Sequence, residues 1–315
     1  MGSVGEAIVI AVPTFHRPLA LDALLDALHE QAAPFGADIL VVDNDPAGSA
    51  RRVVAGRAQY VVEPSRGLAA VRNRALDEAG RADALVFIDD DETPAPGWLA
   101  GLVTTWRQDG ADAVSGRVES RFPVGFHDPW IEQGGFFRRV QFAAGASQPV
   151  AATNNLLLDL GTVRRLGLRF DERLGLSGGE DILFARFLVK AGGRIVSAPE
   201  ALVFDDVPAE RLTRSWVLRR AYRVGISTVR TAALTGGGLR VRLRGFTGGA
   251  ARVGIGGGRW LAGALIRSPR HSARGARAAA RGAGMMAGAL GVDYREYALR
   301  HPGPGGAHDA GATSR

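Results

Sequence analysis

With 315 residues, 46% of them hydrophobic and 23% charged, the chain is long enough to bury a full core and is expected to form one large domain, or one domain with an appendage. It has no cysteine, which excludes a disulfide framework and a thiolate metal site, and no histidine cluster at zinc-ligand spacing. The net charge of +7 hides a segregation: residues 211–300 hold eighteen arginines against Asp293 and Glu296, a local +16, so the remainder carries −9, as expected of an acidic-site enzyme body followed by a basic, glycine-rich region that meets an anionic surface.

The run Ala7 to Val12 has no basic flank and reads as a strand, not a signal peptide. Further strands are expected near 38–42, 59–62, 84–88 and 112–118. Helical patterns fit between them: Pro18 opens one, with Leu21, Leu24, Leu25 and Leu28 at helical spacing, and another comes after Ser65, with Leu68, Val71, Ala75, Leu76 and Ala79 on one face. Strands separated by helices of this length imply an α/β fold of βαβ units with a mostly parallel sheet covered on both sides. In such sheets ligands sit beyond the carboxyl ends of the strands.

Three strand ends carry polar tips. The first is Val12-Pro13-Thr14-Phe15 and the second Val42-Asp43-Asn44-Asp45, where Asp43 and Asn44 also suit a turn ahead of Pro46 and Gly48. The third places Asp89-Asp90-Asp91-Glu92 directly after the apolar run Ala84 to Ile88. Carboxylates bunched at the end of a buried strand repel one another and lose hydration, so they need a counter-charge. Asp89 and Asp91, with one residue between them, share one side of an extended chain and can face a hard divalent cation. The plainer reading is an acidic turn ahead of the helix that Pro96-Gly97-Trp98-Leu99 starts.

Arg72, four residues after Leu68, reads either as reaching over the strand ends toward phosphate or the acid cluster, or as a snorkelling surface residue. Residues 119–149, with Trp130 in their middle, read as an irregular functional loop, and 151–158 as a strand carrying the adjacent amides Asn154 and Asn155. A helix is expected over 177–191. Ser177 and Glu180 form a capping box at its start, which accounts for Glu180 but not for Asp181. A first-turn carboxylate stays ionised beside the helix dipole and suits a base that takes a proton from an alcohol. Gly178 and Gly179 would let a substrate approach the backbone closely. Short strands at 194–197 and 201–204 and a basic helix from about 209 to 224 come next. Beyond Leu234, the stretches Val253 to Ile266 and Ala278 to Val292 are interrupted by Arg259 and Arg281, so neither reads as a transmembrane helix, and a surface-lying or re-entrant element is left.

No G-x-G-x-x-G or P-loop motif lies after the first strand. The order of Val12-Pro13-Thr14-Phe15, Val41-Val42-Asp43-Asn44, Arg66-Gly67 through Ala70-Val71-Arg72-Asn73, Phe87 to Glu92 with Pro96-Gly97-Trp98-Leu99, and Gly178-Gly179-Glu180-Asp181 resembles the family-2 glycosyltransferases over roughly residues 7–225. Within that family the chain looks most like bacterial exopolysaccharide glycosyltransferases of the succinoglycan type. The resemblance implies a GT-A fold, a nucleotide-diphospho-sugar donor, Mn²⁺ or Mg²⁺, and inversion at the anomeric carbon by a single displacement. It places Pro13 and Thr14 against the nucleotide, Asp43 on the base, and Arg72, Asp89 and Asp90 near nucleotide or phosphate. Asp89 and Asp91 become the metal-binding acids, with Asp91 the direct ligand, and Asp181 the catalytic base. Trp130, Asn154 and Glu180 then face the acceptor. Many relatives carry a metal-binding histidine after the final strands. Here Val203-Phe204-Asp205-Asp206-Val207 stands instead, so either Asp205 or Asp206 substitutes or the third ligand is missing.

The expected organisation is a glycosyltransferase domain over 1–230, its donor half about 1–118 and acceptor half about 119–230, then a basic, Gly/Ala/Arg-rich helical region over 231–300 that is amphipathic and membrane-associating, and a disordered tail over 301–315. The expected activity extends a lipid-linked or polysaccharide acceptor in exopolysaccharide or cell-envelope glycan synthesis, by a cytoplasmic protein peripheral at the inner membrane face. A sugar nucleotidyltransferase normally needs a glycine-rich loop after the first strand, and Pro13 to Pro18 is not glycine-rich. Nucleic-acid binding rests only on the arginine-rich C-terminus, which lacks aromatic interleaving and any recognition motif, so no nucleic-acid partner is expected.

Overall fold

The computed structural model describes residues 6–174 and 178–292. The strands are β1 (Ile8–Thr14), β2 (Asp38–Asp43), β3 (Gln59–Val62), β4 (Ala84–Ile88), β5 (Glu92–Pro94), β6 (Ala113–Arg121), β7 (Ser147–Gln148), β8 (Asn155–Asp159) and β9 (Ile195–Asp206). They form one nine-stranded sheet in the order β3-β2-β1-β4-β8-β6-β9-β5, with β7 on β9. β3, β2, β1 and β4 are mutually parallel, and β8 inserts antiparallel between β4 and β6. Since β9 runs parallel to β6, the strands β1, β2, β3, β4, β6 and β9 share one direction and present their carboxyl ends along one edge.

The helices between them are α1 (Pro18–Ala32), α2 (Arg51–Val54), α3 (Leu68–Glu78), α4 (Trp98–Asp109), α5 (Pro129–Gly134), α6 (Leu160–Leu166) and α7 (Glu180–Lys190). Alternate residues of β1 go to opposite faces. Ile8, Ile10 and Val12 pack with Leu21, Leu25 and Leu28 of α1 and Trp98 and Leu102 of α4, while Val9 and Ala11 join Val71 and Ala75 of α3 and Phe184 and Leu188 of α7. The sheet is therefore covered on both sides, as the expected βαβ pattern requires.

Two expected strands near 194–197 and 201–204 are one strand, β9. Pro199 lies at a bulge where the register jumps from Gly116 opposite Ala198 to Arg117 opposite Leu202. Asn155 fills the gap: its Nδ2 donates to the carbonyls of Arg117 and Ala201, and its Oδ1 accepts from Trp98 Nε1. A Cβ on Gly116 would lie 2.2 Å from that amide, so only glycine fits there. The segment 119–149 is less irregular than its composition suggests, since β6 continues to Arg121 and the segment contains α5 and β7.

The chain ends in α8 (Arg214–Ala232), α9 (Gly238–Leu265) and α10 (Pro269–Ala289). A boundary at 230/231 would fall inside α8, and α10 packs directly on that helix. A Cβ on Gly284 would lie 1.9 Å from the Tyr222 carbonyl, and one on Gly225 would lie 2.2 Å from that of Arg281, so α10 and α8 meet backbone to backbone. α9 returns along α10 with Gly249 against Gly282 and Gly256 against Gly275. The region is helical as expected, and its glycines are the contact surface of an antiparallel helix pair. Part of its positive charge is also used locally. Arg274 donates to the Gln133 carbonyl and Arg277 to those of Gly134 and Gly135, where carbonyls at the end of α5 lack helical partners. Among the described residues no helix is long and apolar enough to cross a membrane. The expected tail over 301–315 lies outside the described residues.

Candidate active site

A cavity of about 370 Å³ opens at the carboxyl ends of β1, β2 and β4. Pro13, Thr14 and Asn44 form one wall with Gly67 and Leu68 at the start of α3, and Asp89, Asp90, Asp91 and Glu92 form its floor. β4 delivers these acids as buried strand gives way to a tight turn, in which Glu92 N donates to the Asp89 carbonyl before β5 pairs with β9.

The four carboxylates are not equivalent. Asp90 is buried, accepting from Thr14 Oγ1 and Arg17 Nη1, each at 2.8 Å, so it ties the acid turn to β1. Burial raises its pKa, against the opposing pull of Arg17 and Thr14. Asp89 is pushed up to about 6 by burial first and by Asp91 and Asp90, while Arg72 pulls the other way. Glu92, buried and accepting from Asn154 Nδ2, is raised well above the ordinary range, again chiefly by burial and then by Asp89. Asp91 is the half-open one: its Oδ2 lies 2.8 Å from Arg17 Nη1 and 3.8 Å from Arg211 Nη2.

This all-oxygen donor set suits a hard cation. Among the described residues, however, no group of three or more acids or histidines is placed to hold one. Two carboxylates complemented by substrate phosphate oxygens are how Mg²⁺ is commonly bound, so the residues fit a cation shared with a phosphate ligand rather than an all-protein cage. Arg17 is the present counter-charge at Asp91. Asp205 lines the cavity but is paired with Arg139 at 3.1 Å, and Asp206 is held by both arms of Arg121 outside the lining.

Arg72 is buried, not snorkelling. Its Nη1 pairs with Glu180 Oε1 and its guanidinium lies 5.8 Å from the Phe170 ring centre. Burial pushes Glu180 up to about 7, with Arg72 opposing and Asp181 adding to the rise. The expected capping box involves Ser177, which lies outside the described residues. α7 begins at Glu180 with Gly179 as its N-cap, so Glu180 is the first helical residue and its carboxylate serves Arg72 instead. Gly178 and Gly179 have φ of 77° and 97°. Ser227 of α8 packs against Gly179, its Oγ 2.3 Å from where a Cβ would stand. Asp181 is half-buried in the first turn, accepting from Ile182 N. Neither Glu180, Asp181 nor Arg72 lines the first cavity. Ile182 lines a neighbouring one of about 460 Å³, which shares Arg139 and Asn154 with the first.

Two expected contacts are placed elsewhere. The fully buried Asp43 carboxylate accepts from Asp45 N, Ala50 N and the Tyr60 hydroxyl, so in this structure it builds the turn after β2. Its neighbour Asn44 lines the cavity and braces the 63–67 loop through the Glu63 and Ser65 carbonyls and Gly67 N. Trp130 is 8% exposed, stacks on Phe136 and donates to Ser272 Oγ, so it fastens α5 to α10 and does not line the cavity. The aromatics in the cavity lining are Phe15 and Trp216, the latter with Arg139, Arg211, Arg220 and Arg223. Sequence reasoning passes over these four arginines and Trp216. The available signal is the spacing of Trp216, Arg220 and Arg223, which puts them on one face of a helix.

Residues 9–161 match the family model for glycosyl transferase family 2. The chain is 36% identical over 241 residues to the succinoglycan biosynthesis protein ExoM of Rhizobium meliloti (strain 1021), covering 73% of this chain and 77% of that protein. It is 26% identical over 234 residues to the glycosyltransferase AglE of Haloferax volcanii, covering 71% and 74%. Among solved structures, GalNAc-T7 with UDP, GalNAc and Mn²⁺ superposes with a TM-score of 0.52 at 14% identity, over 72% of this chain and 51% of that one, a likeness of GT-A fold alone.

Proposed function

The chain belongs to glycosyltransferase family 2, and from that premise we propose that it is an inverting enzyme that moves a sugar from a nucleotide-diphospho-sugar to a lipid-linked or polysaccharide acceptor in exopolysaccharide or cell-envelope glycan synthesis. The observation that carries this reading is a single cavity joining the Pro13, Asn44 and Gly67 wall to the Asp89 to Asp91 turn. The wall suits a nucleoside, and the turn suits its diphosphate. Asp91 and Asp89 would hold Mn²⁺ or Mg²⁺, which neutralises charge on a departing diphosphate without a proton. Arg17, already on Asp91 and Asp90, supplies a fixed positive charge beside the same group. Asn154 positions Glu92 at the border of the two cavities, and the acceptor sugar lies beyond it, where Asp181 takes the proton of the attacking hydroxyl. The Arg72–Glu180 pair fixes the start of α7 and so positions Asp181.

A thermal-shift panel of nucleoside diphosphates with Mn²⁺ tests the donor reading. One base should raise the melting temperature by mass action, by the equivalent of about 2.7 kcal/mol at a hundredfold excess over Kd. A flat response across all bases, with and without metal, would sink it.

We propose further that the protein is peripheral at the inner face of the cytoplasmic membrane. The buried residues of α9 are all glycines, Gly249, Gly256 and Gly263 facing α10 and Gly245 facing Val229 of α8, while Leu239, Leu243, Leu261 and Leu265 are exposed at helical spacing with Arg240, Arg244 and Arg259 beside them. An apolar face bordered by arginine on a helix about 40 Å long fits an anionic bilayer surface. Full-length protein should pellet with anionic vesicles and be released by high salt. A Leu261→Glu, Leu265→Glu variant should stay in the supernatant while still binding nucleotide. Equal pelleting of both proteins would rule out α9 as the contact.

A further inference from the structure

Cations outnumber acids on the α8 side of the cavity. Arg17 is paired with Asp90 and Asp91, and Arg139 with Asp205. Arg220 is different. Among the described residues its one hydrogen-bond acceptor is the Phe136 carbonyl, at 3.0 Å, and no carboxylate lies within ion-pair distance. Burial lowers its pKa to about 10, and Arg139, Arg223 and Arg211 add to the fall against Asp205 alone. A half-buried guanidinium crowded by its own kind is the group that a bound anion would relieve.

The surroundings hold these arginines in place. The rings of Phe137 and Trp216 stack with centroids 6.1 Å apart and planes 5° from parallel, and Arg220 lies over both, at 5.8 and 5.9 Å. Arg211 also sits 5.9 Å from the Trp216 centroid. Arg223 lines the cavity one helical turn from Arg220. Guanidinium groups fixed on an aromatic floor lose little further freedom when they bind, and their planar donors suit phosphate oxygens.

Resting on the reading of this cavity as a glycosyltransferase site, we propose that Arg220, held on the Phe137–Trp216 floor, and Arg223, one helical turn on, form a second phosphate subsite, which holds the diphosphate linking the acceptor to its lipid. The donor's diphosphate already has counter-charge at Asp91, from Arg17 at 2.8 Å and Arg211 at 3.8 Å, whereas Arg220 has no carboxylate within ion-pair distance among the described residues. A neutral polysaccharide end would leave Arg220 uncompensated, whereas a diphosphate-linked acceptor neutralises it. α8 also packs on α10, the partner of α9, which connects this subsite to the helix pair that carries the apolar face.

Titration calorimetry on the full chain distinguishes the two sources of diphosphate. The probe is farnesyl diphosphate, added to protein saturated with Mn²⁺ and the nucleoside diphosphate that the thermal panel selects, with farnesol and inorganic pyrophosphate as controls. Farnesyl diphosphate should bind while the nucleotide stays bound, and farnesol should not. Arg220→Gln and Arg223→Gln should each weaken that binding by about tenfold or more, as expected for losing a hydrogen bond to a charged group, with nucleotide affinity unchanged. Arg220→Lys should retain part of it. Nucleotide affinity doubles as the check that each variant is folded. Displacement of nucleotide by farnesyl diphosphate, equal binding of farnesol, or unchanged affinity in both Gln variants overturns the subsite. Protein that binds nucleotide but not farnesyl diphosphate overturns it too and leaves the donor reading standing, whereas failure to bind any nucleoside diphosphate overturns the donor reading itself.

Discussion

Asp181→Asn should lower transfer by a factor on the order of 10² to 10⁴, the range for removing a general base, with nucleoside-diphosphate affinity unchanged. The separation is expected because Asp181 lies outside the lining of the donor cavity, next to Ile182 in the wall of the neighbouring one. The amide preserves the hydrogen bond from Ile182 N while removing the proton acceptor. Glu180→Gln should fail differently. A capping box would tolerate Gln, but the Glu180 carboxylate is buried against Arg72, and removing it leaves a buried guanidinium with less compensation. Burial holds the Glu180 pKa above its ordinary range and so offsets part of the pair's attraction, and the stability loss should be about 3 kcal/mol, the low end for breaking a buried pair. Urea denaturation and single-turnover transfer, run on both variants, separate the roles. Small, equal losses of transfer in the two would make the pair structural and put the base elsewhere.

Much of the sheet is legible in the sequence because β1, β2 and β4 are uninterrupted apolar runs with helices of matching length between them. β9 reads as two strands, since Pro199 breaks the pattern locally and only the Asn155 amide, from a distant strand, shows that the ladder continues across a bulge. That the C-terminal region is helical is legible too, but its packing is hidden by composition. Glycine lowers helix propensity, yet at Gly256, Gly275 and Gly284 it allows backbone contact that no larger side chain permits, so packing overrides propensity. Hydrophobic periodicity weights large apolar residues and therefore misses a contact surface made of glycine.

The acid turn is legible for the opposite reason, its carboxylates being adjacent in sequence. Their division of labour is not, because Asp90 is drawn aside by Thr14 and Arg17 from another strand end. Asp43 and Trp130 show the same limit. Each is the residue type that a binding site uses, and each is consumed by a structural partner, Tyr60 in one case and Ser272 in the other. The basic wall around Trp216 forms only when α8 packs beside the strand ends, a long-range contact of which the sequence shows no more than the one-face spacing of Trp216, Arg220 and Arg223.

Asp91→Asn should remove the metal-dependent part of donor binding and leave the fold intact. Asp91 is half-exposed, Arg17 retains Asp90 as a partner, and relieving the crowding of carboxylates costs little when no cation must be held. Losing a ligand's immediate support typically weakens metal affinity 10- to 100-fold, so losing the ligand itself should cost on the order of 10²-fold or more. The direct measurement is calorimetric titration of the selected nucleoside diphosphate into wild type and Asp91→Asn, each with and without Mn²⁺. Wild type should bind more tightly with Mn²⁺, and the variant should show the same weak affinity in both conditions. A variant that binds nucleotide and responds to Mn²⁺ like wild type would contradict the assignment of this acid turn as the diphosphate and metal site.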